Sequence, residues 1–164
     1  MRKAVRSAVG LIGMLLLFAA CSQQCGSQTS RTTAGCSPSG AAHRAYVVVE
    51  HGSGLSITRC IGFSGDFIDG ESAMHQSGIE YRATAVSSGK AMCQVDSEPA
   101  QLDQCFPQNE PYWALFVASS GHWKSAPGGY TQVKLHDGDA MGWHYVAATD
   151  PSPAPPPLPS APKN

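Results

Sequence analysis

The residues best suited to bind something lie between Tyr112 and Tyr145. Those 34 residues hold all three tryptophans (Trp113, Trp123, Trp143), three of the five tyrosines and the turn Asp137-Gly138-Asp139. Rings gathered so closely build either a tight β-core or an aromatic surface for a flat, partly apolar ligand. Residues 112–117 read as a strand, so Trp113, Leu115 and Val117 face one way and Tyr112, Ala114 and Phe116 the other. Trp113 then has a competing role in the core, whereas Tyr112 and Phe116 are the rings expected to be open. Trp123 falls in the polar segment 119–125, read as a loop, where it serves either as a lid on the core or as a ligand platform. His122 beside it is placed to approach a metal centre carried by such a ligand, with plain solvation as the alternative.

Other chemistries fit less well. Asp137-Gly138-Asp139 suggests calcium, but no further acids follow at the steps a calcium loop needs, so a β-turn with Gly138 at positive φ is expected. Zinc fails on spacing, because neither C-x-x-C nor H-x-x-x-H occurs. No G-x-S-x-G elbow, phosphate loop or H-E-x-x-H motif appears, and an enzyme is not expected. His51, His75 and His136 show no partners by spacing, and His144 is expected to point to solvent.

Six cysteines in an exported chain imply disulfides. Cys93 and Cys105 are the expected pair, because the polar connection between them needs a staple. The roles of Cys25, Cys36 and Cys60 stay open.

The elements that must position these residues occupy the middle of the chain. Residues 45–50 are β-branched, His51-Gly52-Ser53-Gly54 supplies a hairpin turn, and residues 55–63 alternate as a second strand. Asp69 is an N-cap, Glu71 sits in the first helical turn and Gly78 marks the left-handed stop of a short helix. Strands are then predicted at 81–86, 91–95, 112–117, 131–135 and 141–146. A hairpin, one short helix and several strands make a small α+β domain, mostly antiparallel and β-grasp-like, over residues 44–148.

These residues resemble the transcobalamin-like C-terminal domain family. The resemblance rests on Thr58-Arg59-Cys60, Asp69-Gly70-Glu71-Ser72-Ala73, Gly78, and Met92-Cys93-Gln94-Val95 followed by Pro99 and Cys105. More specific is the closing series: Tyr112-Trp113, Trp123, Gly129-Tyr130 and Asp137-Gly138-Asp139-Ala140-Met141-Gly142-Trp143. In the vitamin carriers of that family this domain closes over cobalamin resting on a separate helical domain, of which residues 1–164 carry no counterpart. The resemblance implies a β-grasp-like fold and an aromatic face for cobalamin or a related tetrapyrrole. It adds Tyr130 to the candidate set of Tyr112, Trp113, Phe116, His122 and Trp123.

The ends of the chain speak of location. Arg2, Lys3 and Arg6 precede an apolar run at residues 8–20, too short to span a bilayer, and Leu17-Phe18-Ala19-Ala20-Cys21 resembles a bacterial lipobox. Residues 1–20 are read as a signal peptide and Cys21 as the lipidation site, placing the mature chain on the outer face of the cytoplasmic membrane, or else secreted. Without those residues the chain keeps eight basic and twelve acidic side chains, a net charge of −4, which argues against nucleic acid. Residues 21–43 read as a flexible tether and residues 149–164, with seven prolines in the last fifteen, as a disordered polyproline-like tail. Two functions follow as expectations. One is capture of a small molecule, cobalamin or a related tetrapyrrole, for a membrane importer, with no cofactor required. The other is an envelope protein-interaction module with no small ligand.

Overall fold

The computed structural model describes residues 30–160. The expected signal peptide, Cys21 and Cys25 lie outside the described residues. Among the described residues no helix is long and apolar enough to cross a membrane.

The strands are β1 (Ser30–Ser37), β2 (His43–Glu50), β3 (Ser56–Phe63), β4 (Ile68–Asp69), β5 (Tyr81–Val86), β6 (Gly89–Val95), β7 (Tyr112–Ser119), β8 (His122–Ser125), β9 (Lys134–Leu135) and β10 (Ala140–Val146), with one helix, α1 (Gly70–Ser77). Six strands form one mixed sheet in the order β1-β3-β2-β10-β7-β8. The β2–β3 hairpin is antiparallel, β10 runs parallel to β2 and antiparallel to β7, and β1 runs parallel to β3. Two short antiparallel pairs, β5–β6 and β4–β9, complete a small α+β domain.

The inner face of the sheet is the core. Val47, Val49, Ile57, Ile61, Trp113, Met141 and Trp143 pack against Ala73 and Met74 of α1 and Met92 and Val95 of β6. The helix stands where its caps put it. Asp69 accepts a hydrogen bond from the Ser72 backbone N–H at 2.8 Å, which satisfies one of the orphan donors of the first turn. Gly78 then ends it at φ +65°. That backbone hydrogen bond, before all other causes, holds the Asp69 carboxyl below its ordinary value.

The unbroken Val47-Val48-Val49 run, fully buried throughout, shows that the central strand is covered on both faces. The outer face has its own apolar clusters: Tyr46, Cys60, Ala118 and Ala140, then Ala114, Phe116 and Val146, with Trp123 packed against both.

Several expectations change here. The tether read over residues 21–43 contains β1, which pairs along β3 and is bonded to it by the Cys36–Cys60 disulfide. The tail read as disordered lies on the outer face, with Pro156 buried against Gly142 and Trp123. The segment holding Trp123 is strand β8, registered with β7, rather than a loop. Residues 131–135 are a 3-10 turn (Tyr130–Gln132) leading into the two-residue β9, because the turn's carbonyls bond back within it. The expected Cys93–Cys105 disulfide is present. Two disulfides fit a secreted or extracellular protein.

Candidate functional site

The loop of residues 96–111, between β6 and β7, carries no strand or helix, and none of its residues is buried. The Cys93–Cys105 bridge folds it back beside the start of β7 and the end of β10. Between loop and strands lies a cleft of about 580 Å³, within the size range of small-molecule sites. Its strand wall is aromatic: Tyr112, Trp113 and Tyr145. Phe106, 47% exposed, lines the loop side beside Pro107. The charged residues lining it, Asp103 and Glu110, are both acidic, with Gln101 and Gln104 as neutral polar groups.

The wall is fixed from behind. The Trp113 and Tyr145 rings pack with centroids 5.0 Å apart, and the Trp113 indole N–H donates to the Glu98 carbonyl at 3.1 Å. The Glu98 carboxylate meets His51 Nδ1 at 2.7 Å and accepts from the Gly52 N–H at 3.3 Å. The buried His51 ring meets Trp113 edge-on at 5.8 Å, with Asp96 3.5 Å from its Nε2. Glu98 thus ties the hairpin turn, the loop and the aromatic wall together. Burial first, then the nearby Glu98 and Glu110 carboxylates, pushes the Tyr145 hydroxyl pKa up, so its neutral, hydrogen-bonding form persists well above neutrality.

The six residues singled out by sequence do not form one surface. Tyr112 and Trp113 share the cleft, although Trp113 is only 5% exposed and presents little surface to it. Phe116, expected to be open, is 3% exposed, because the outer face of β7 is covered and Phe116 packs with Ala114, Val146 and Trp123. His122 borders a separate hollow of about 400 Å³ with Lys124, Pro127 and Gln132. Tyr130 is a core residue, 1% exposed, standing edge-on to both Tyr81 and Trp143. Its hydroxyl pKa is pushed far up, chiefly by burial. His144, expected in solvent, bonds the tail through the Ala154 carbonyl.

The Asp137-Gly138-Asp139 turn spends its carboxylates on backbone: Asp137 accepts from the Arg44 N–H and Asp139 from the His136 N–H, each at 2.9 Å. Gly138 has φ +83°, as the turn requires. Among the described residues no three His, Cys, Asp or Glu side chains gather as a metal site.

Sequence reasoning missed Phe106, Glu110 and Tyr145 in the cleft, and Glu98 and His51 behind it. One signal was available: Cys105-Phe106-Pro107, a large apolar side chain placed between a bridged cysteine and a proline in a mostly polar loop.

No protein-family description and no characterised protein matches the chain. Among solved structures, a crystal structure of a "putative metal binding protein" from Ruminococcus gnavus is similar at 16% identity and a TM-score of 0.46, over 65% of this chain and 98% of that one. A likeness of that size carries no argument about ligand.

Proposed function

We propose that this protein is a lipid-tethered extracellular binding domain of the β-grasp kind that holds a small, flat, partly apolar molecule in the cleft beside Tyr112 and Trp113. The observation that carries the reading is the cleft itself: an aromatic wall braced by Glu98, facing a disulfide-closed loop that offers Phe106 and a polar rim. The β-grasp assignment is supported by the hairpin β2–β3, by α1 across it, and by β10 returning parallel to β2. Lipid attachment at Cys21 would keep the domain at the membrane, beside an importer that takes the ligand onward.

Cobalamin or a related tetrapyrrole is the ligand class we favour. A ring of that size would be gripped by one edge in a groove open to solvent. Asp103, Glu110, Gln101 and Gln104 offer acceptors to the amide groups around a corrin. The same two carboxylates would repel the propionates of haem, so the cleft discriminates between the two by charge. The test is Phe106→Ala in the full chain. Phe106 is about half exposed and outside the core, so the variant should fold normally and bind cobalamin at least tenfold more weakly. Unchanged affinity in a folded variant would remove the cleft from the reading.

A further inference from the structure

The proline-rich tail and the outer face of the sheet fit each other in a way that the cleft does not use. Across β7 and β10 the outward residues pair as Ala118 with Ala140, Phe116 with Gly142, Ala114 with His144 and Tyr112 with Val146, and Trp123 of β8 pairs with Ala118. Small residues therefore make a trough between aromatic side chains. Gly142 sits at its centre, where a Cβ would lie 2.6 Å from Pro156 and 2.7 Å from the Trp123 ring. Proline and indole meet in the space that only glycine leaves free.

The polar contact fits the same pattern. His144 Nδ1 is 2.7 Å from the Ala154 carbonyl oxygen, so the imidazole donates and the tail accepts. Proline has no N–H, and an extended proline-rich segment offers a partner only carbonyls and apolar rings. A groove that supplies an aromatic face and a side-chain donor answers both, as in known modes of polyproline recognition. The Trp123 indole N–H is buried without an acceptor. Its ring is thus held there by apolar contact with Pro156 and the trough, not by a hydrogen bond of its own.

We infer that the outer face of the sheet is a polyproline-binding groove, occupied in cis by residues 151–159 and able to take a proline-rich segment of another polypeptide when that tail leaves. The short link from β10 to Asp150 gives the tail an effective concentration on the order of millimolar. A free peptide of similar intrinsic affinity therefore cannot compete until the tail is released.

The test uses the full chain, wild type and Pro156→Asp, titrated with a synthetic peptide of residues 150–160 and followed by emission of Trp123, the tryptophan that is not buried. The variant should bind the peptide at least tenfold more tightly than wild type. Replacing the peptide's prolines by alanine should abolish binding, as should adding Gly142→Val to the Pro156→Asp chain. No binding by a folded Pro156→Asp protein would overturn the inference, and so would equal binding of the alanine peptide. Equal binding by wild type would show that the tail does not occupy the groove and would likewise overturn it.

Discussion

Replacing both Cys93 and Cys105 by serine tests how the cleft is built. The bridge joins residues 12 apart in sequence. In the chain-entropy description a loop of that length stabilises the fold by about 3 kcal/mol, through the denatured chain it constrains. With a urea m-value of about 2 kcal/mol/M, the unfolding midpoint should fall by about 1.5 M. A local effect accompanies the global one. The anchors of the loop through Asp96, Glu98 and Pro99 all precede residue 100, and residues 100–111 bury no side chain. Without the bridge that stretch should gain fast backbone motion, taking Phe106 and the polar rim with it, while β7 and β10 stay rigid. Urea denaturation measures the first effect, and backbone order parameters from NMR relaxation, resolved by residue, measure the second. A midpoint change below about 0.5 M would refute the entropy argument. Unchanged order parameters across residues 100–111 would refute the claim that the bridge holds the loop.

Four further outcomes are expected. Removing the Cys36–Cys60 pair, which closes a longer loop of separation 24, should cost about 3.5 kcal/mol by the same measurement and release β1 without altering the cleft. Glu98→Gln, which weakens the bonds to His51 and the Gly52 N–H, should cost about 2 kcal/mol and change the near-ultraviolet circular dichroism of Trp113. Asp69→Ala should cost about 1 kcal/mol of stability at neutral pH. Because the Asp69 carboxyl titrates below its ordinary 3.8, that contribution is present above 3.8 and lost as pH falls through the lowered value, so the variant and wild type should converge in acid. Tyr130 titrates above its ordinary 10.0 because of burial. Its contribution is therefore complete below pH 10.0 and lost as pH rises toward the raised value, so urea midpoints should fall in that range and fall less in Tyr130→Phe.

Much of the fold was readable where the determinants are local. Asp69 and Gly78 bracket α1 by cap chemistry alone, and the valine run of β2 needs no partner to be recognised as a strand. The elements that were missed depend on distant contacts. β1, with the sequence Ser-Arg-Thr-Thr-Ala-Gly-Cys-Ser, has no apolar alternation and exists because the edge of β3 and Cys60 are there to receive it. The apolar spacing of Val133 and Leu135 imitates a strand, but the preceding residues form a tight turn whose backbone bonds run within it.

The candidate site was half legible for the same reason. Strand alternation put Trp113 and Tyr112 on opposite faces, which holds, and left open whether Trp113 was core or site. It could not tell that a proline tail returns over the outer face, so Phe116 was expected in the open. Nor could it distinguish Tyr130, enclosed between Tyr81 and Trp143, from a ring on a surface. Tyr145 reaches the cleft only because β10 pairs with β7 in the register Tyr145 to Trp113. No local pattern encodes that register.

The most direct test is calorimetric titration of the full chain with cobalamin, run beside haem. Cobalamin should bind saturably, one to one, at micromolar affinity or tighter, and haem should bind more weakly because of Asp103 and Glu110. No heat with either compound from a folded sample would contradict this, and so would tighter binding of haem.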